Sequence, residues 1–190
     1  MVQYVALSMT APTAKLARSA AMASITVAVI LVALKTWASW RTGSTAMLGS
    51  LADSALDLIA SLATLTGVWV ASMPADEDHR FGHGKAEALA AIFQVMLIAL
   101  SAFGIAVRAI MQLAGQHQTA AAGDGIAVSV IAIALTLALL GWQRYVMSRT
   151  RSLAIQTDHL HYKSDLLLNL SVIAALMLDQ YAGLGLADPL

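Results

Sequence analysis

Leu51-Ala52-Asp53-Ser54-Ala55-Leu56-Asp57-Leu58-Ile59-Ala60 sets two carboxylates four residues apart inside a long apolar run. An α-helix turns once in about 3.6 residues, so Asp53 and Asp57 share one face, one turn apart. A carboxylate at the centre of a membrane-spanning helix costs roughly 2.5–3.5 kcal/mol on insertion scales. Two on one face require a compensating partner: a metal cation, a proton or a basic side chain.

Composition establishes that the setting is a membrane. Of the 190 residues 59% are hydrophobic and 12% charged, with a mean hydropathy of +0.74. Soluble domains carry about 25% charged residues. The apolar runs are long and do not alternate with period two, which excludes a β-barrel pattern and predicts an all-α, polytopic transmembrane helical bundle. Net charge is zero, and no nucleic-acid partner is expected. There is no cysteine, so a transition metal held by this chain takes His, Asp or Glu ligands. No secretory signal peptide is evident, and the first apolar run is expected to persist as a helix.

Five spans are expected, at about 19–40, 46–72, 86–113, 124–146 and 153–178, after a short cytoplasmic lead over residues 1–18 and before a loop over 179–190. Trp37 and Trp40 mark a membrane interface, with Lys35 expected to snorkel toward it. Pro74 stops the second span. Polar turns follow at Arg41-Thr42-Gly43-Ser44, at residues 75–85, at 115–123 and at Ser148–Ser152. With the N-terminus inside, the cytoplasmic side receives seven Lys and Arg residues (Lys15, Arg18, Arg80, Lys85, Arg144, Arg149, Arg151) and the outer side three (Lys35, Arg41, Arg108). That bias predicts a cytoplasmic N-terminus.

Two constellations carry the chemistry. Asp53 and Asp57 on the second span are matched by His161 and Asp165 on the fifth, each pair at i, i+4. Together they offer three carboxylates and one imidazole, an N/O donor set that suits tetrahedral Zn²⁺ and admits Fe²⁺, Mn²⁺, Co²⁺ or Cd²⁺. The alternative is polar helix packing, with Lys163 neutralising one carboxylate. The second constellation is Asp76, His79 and His83 in the loop after the second span, either a further metal site or a solvated acidic loop. Glu77 and Asp78 read as funnel charge. Asp158, one turn before His161, is open between a supporting or access carboxylate and a capping or snorkelled role. His159 faces away, His117 is a loop residue, and Gln94 and Asn169 read as interhelical hydrogen-bonding groups. Carboxylates and imidazole bind metal when deprotonated, so metal binding here releases protons and can couple the two gradients. HExxH, GxSxG and Walker-type signatures are absent, and no enzymatic activity or organic cofactor is expected.

LADSALD at 51–57, PADEDHRFGHGKAEALAA at 74–91 and DHLHYKSDLLLN at 158–169, in that order, closely resemble the bacterial cation diffusion facilitators, nearest to their zinc/iron effluxer branch. The resemblance covers the chain from about residue 15. It implies proton-coupled antiport of a divalent transition metal by alternating access, Zn²⁺ first and Fe²⁺, Cd²⁺ or Mn²⁺ as alternatives. It implies a multi-pass location in the inner (plasma) membrane and function as a homodimer in the lipid bilayer. The family's mid-membrane site matches Asp53, Asp57, His161 and Asp165, and its loop site matches Asp76, His79 and His83. The family has six helices and a cytoplasmic domain. Residues 1–190 are therefore expected to form an incomplete cation efflux transmembrane domain of five helices, without the sixth helix and the cytoplasmic domain. The alternative function is that of a non-transporting metal-binding or regulatory fragment of such a transporter.

Overall fold

A computed structural model describes residues 11–42, 45–114 and 123–182. These form five helices: α1 (Ala11–Thr42), α2 (Thr45–Ala71), α3 (Lys85–Ala114), α4 (Gly123–Thr150) and α5 (Leu153–Ala182). α1, α2, α3 and α4 each contain a stretch long and apolar enough to cross a membrane. α5 is 30 residues long, and its first half is interrupted by the charged run from Asp158 to Asp165. The protein is a multi-pass helical membrane protein. Three boundaries differ from the sequence expectation. α4 continues to Thr150, beyond 146 and into the turn expected at Ser148–Ser152. The segment assigned to a cytoplasmic lead is helical from Ala11, since Pro12 is tolerated in a first turn. α5 runs on to Ala182 rather than ending in a loop at 179. His117 lies outside the described residues, as do the side chains of Arg108 and Asn169.

α1 packs on α2 and α4, α2 on α3, and α5 on α3 and α4, with a smaller contact between α5 and α2. The packing inverts that of a soluble protein. Outward positions are large and apolar, among them Met22, Ile30, Ile92, Met96, Leu100 and Phe103. Inward positions are small or polar. Along α1, Ala17, Ala21, Ser24, Ala28, Leu31 and Ala38 are all buried, a stripe at three- and four-residue spacing that lets neighbouring helices approach closely. α2 and α3 approach closely, and a Cβ built on Gly67 would lie 2.5 Å from the Cβ of Ala90.

Local chemistry explains the helix ends. α2 stops where the amides of Ser72 and Met73 bond back to the carbonyls of Val68, Trp69 and Val70, ahead of Pro74. Arg18 on α1 donates to Ser72 Oγ at 2.8 Å and pins that end. α4 closes on Arg151, which adopts a left-handed backbone (φ 53°) and donates its N–H to Met147 at 3.2 Å. α5 opens at once, with Ser152 Oγ accepting from the Ile155 amide at 3.3 Å as an N-cap. Glu87 of α3 reinforces this start, accepting from Ser152 Oγ and from the Leu153 amide, each at 2.9 Å.

Candidate metal centre

α2 and α5 bring Asp57, His161 and Asp165 together. One ligand atom from each lies within 4.8 Å of the others. His161 is 2% exposed, and its Nε2 points between the two carboxylates, 2.9 Å from Asp57 Oδ1 and 3.4 Å from Asp165 Oδ2. The i, i+4 spacing on α5 makes the second contact, and the α2–α5 crossing makes the first. Three N/O donors this close, with no sulfur, present a divalent cation with ligands of the hard-to-borderline class.

Asp53 stands apart from that cluster. It is exposed, one turn from Asp57 toward the N-terminus of α2, and near enough to Asp165 and Lys35 to act on both electrostatically. Lys163, the candidate neutralising group, is exposed. The basic group at the centre is Lys35, and here the sequence expectation is corrected. Rather than snorkelling to the interface, Lys35 turns inward and donates to Ser50 O at 3.1 Å and to Ser54 Oγ at 2.7 Å. Its spacing was the available signal, since position 35 continues the buried α1 stripe four residues after Leu31 and three before Ala38.

Asp158 is fully buried, one turn before His161, which rules out a snorkelled or capping role. Its carboxylate accepts from four helices. Gln94 Nε2 of α3 and Thr64 Oγ1 of α2 reach Oδ1 at 2.8 and 3.4 Å. Ser24 Oγ of α1 and Gln143 Nε2 of α4 reach Oδ2 at 2.5 and 2.7 Å. Gln94 therefore makes the interhelical bonds expected of it, including one to Thr64 at 2.5 Å. Tyr162 adds a buried hydroxyl 3.0 Å from Ser61 Oγ. Ser24, Thr64, Gln143 and Tyr162 had no signal in the sequence beyond being polar residues in apolar runs. His159 belongs to neither cluster of candidate ligands among the described residues.

The loop constellation also assembles. Asp76, His79 and His83 bring ligand atoms within 4.8 Å of one another. His79 Nδ1 lies 3.1 Å from Asp76 Oδ1, and His83 Nε2 3.4 Å from Asp76 Oδ2. The His79 amide donates to Asp76 at 2.6 Å, and this bond holds the Asp76 carboxyl below its ordinary range. Gly82, with φ 76°, supplies the left-handed turn that brings His83 back over the loop.

The family described as cation efflux transmembrane domain matches residues 21–190. The chain belongs to this cation-efflux family. It is similar to proteins named cation-efflux pump FieF. The Klebsiella pneumoniae (strain 342) protein is 45% identical over 139 residues, 73% of this chain and 46% of the relative. The Serratia proteamaculans protein is 44% identical over 148 residues, 78% of this chain and 49% of the relative. The Shewanella oneidensis protein is 46% identical over 139 residues, 73% of this chain and 47% of the relative. The chain thus spans about half the length of the cation-efflux relatives it matches.

Proposed function

We propose that the chain forms the ion-translocating part of a transporter that exports a divalent transition metal, Zn²⁺ first and Fe²⁺, Cd²⁺ or Mn²⁺ as alternatives, in exchange for protons. The observation that carries the reading is the convergence of Asp57, His161 and Asp165 inside a bundle of the cation-efflux family. A buried imidazole between two carboxylates in a membrane protein is functional by default. Asp53 completes the ligand set from the rim. The metal is the cargo of these residues, and no organic cofactor or enzymatic step is involved.

The exchange follows from ligand chemistry. Asp57, Asp165 and His161 bind metal in their deprotonated forms, so the ion and protons compete for the same lone pairs. Metal collected by Asp76, His79 and His83 on the cytoplasmic side passes to the central ligands. A change in helix tilt opens the centre outward, where protonation favours release. The N-terminus lies in the cytoplasm, the membrane is the inner membrane, and the transporter works as a homodimer.

The test is zinc uptake by proteoliposomes loaded at acid pH. Uptake is expected to be faster with the pH gradient than after its collapse, and Asp57→Asn is expected to abolish it. Equal rates with and without the gradient would remove the antiport. Zinc binding without any transport would favour the fragment with a regulatory role.

A further inference from the structure

The geometry points to Lys35 as a built-in counter-cation of the candidate centre, one that sets its net charge and so fits it to a releasable divalent ion; this rests on the metal-centre reading above. Lys35 is held in place rather than free to swing outward, because the Ser50 carbonyl and the Ser54 hydroxyl both accept from its ammonium. Those acceptors lie on α2, on the turns that carry Asp53 and Asp57. The ammonium acts electrostatically on Asp57, Asp53 and Asp165. Among the described residues no ion pair joins it to any of these carboxylates, so their oxygens stay available to a metal.

Charge counting gives the consequence. Asp158 is set aside, since its oxygens are already taken by four donors. Among the remaining groups Asp53, Asp57 and Asp165 as ligands contribute three negative charges, a coordinating His161 none and Lys35 one positive charge. The sum is minus two, which one divalent cation cancels. Without Lys35 the same ligands would retain a divalent ion with one negative charge in excess, in a medium that amplifies charge–charge energies. A tethered cation therefore weakens binding deliberately. A carrier needs that property, because an ion bound too tightly is never delivered.

The experiment measures Zn²⁺ affinity by calorimetry on the detergent-purified protein at one pH, alongside helicity and gel filtration. Lys35→Gln keeps a donor toward Ser50 and Ser54, and Lys35→Met keeps an unbranched stem; both remove the charge. Each is expected to bind Zn²⁺ about tenfold tighter or more than the parent, while Lys35→Arg stays within about threefold of it. A residue that merely shaped the site would give weaker binding on replacement. If the parent binds Zn²⁺ and Asp57→Asn loses it, but the folded neutral variants bind no tighter, the counter-cation assignment is wrong and the metal centre stands. If Asp57→Asn leaves Zn²⁺ affinity unchanged, both fall.

Discussion

Asp158 illustrates how much one buried residue can organise. It sits on α5 and takes hydrogen bonds from α1, α2, α3 and α4, so all five helices meet at a single carboxylate. Both oxygens carry two donors each, which offsets the cost of burying a carboxyl group. Asp158→Asn keeps the shape but turns one oxygen into a donor that faces other donors. The variant is expected to lose about 2 kcal/mol or more of stability, seen as a lower midpoint of thermal unfolding in detergent. The separation between Asp158 and the Asp57–His161–Asp165 cluster also matters. One carboxylate on α5 ties the bundle together, while the next along the same face stays open to a ligand.

At the scale of the helices, the junctions are built by long-range contacts more than by local preference. α5 starts two residues after a left-handed Arg151, and the carboxylate of Glu87 fills the gap in its first-turn hydrogen bonding. A negative group at a helix N-terminus also complements the helix dipole. Glu87 follows the loop bearing His79 and His83, so the same short segment joins the loop cluster to the base of the helix carrying His161. Glu87→Ala is expected to cost about 1–2 kcal/mol and to speed amide exchange at Leu153–Ile155, read by mass spectrometry. Unchanged exchange there would mean that Ser152 caps α5 unaided. Local reading located five helices and most of their ends, because apolar run length and proline act within a single element. It carried no sign of Glu87 as a cap, since the partners lie more than sixty residues away.

For the whole molecule, the candidate centre joins α2 and α5, a pair with far less mutual packing than α1 and α2. A metal bridging them binds the folded bundle and not the unfolded chain. Zinc is therefore expected to raise the unfolding midpoint with the logarithm of its concentration, by about 2.7 kcal/mol of stability at a hundredfold excess over the dissociation constant. His161→Ala is expected to abolish that gain while a chelator abolishes it in the parent. Stabilisation that persists in His161→Ala would assign it to another site, with the Asp76–His79–His83 loop the first to examine.

Sequence alone determined the class of the protein, its helices and which titratable residues share a face, because composition and a 3.6-residue period act within each segment. Asp57, His161 and Asp165 could be singled out that way, as could Asp76, His79 and His83. Only the tertiary structure decided how those faces meet. It left Asp53 at the rim of the central cluster, turned Lys35 inward and placed Asp158 where five helices converge. The physical reason is that a period fixes a residue's angle about its own helix axis. The rotation and depth of that helix against its neighbours are set by the packing of small residues such as Ala17, Ala21 and Gly67, and by hydrogen bonds between distant parts of the chain.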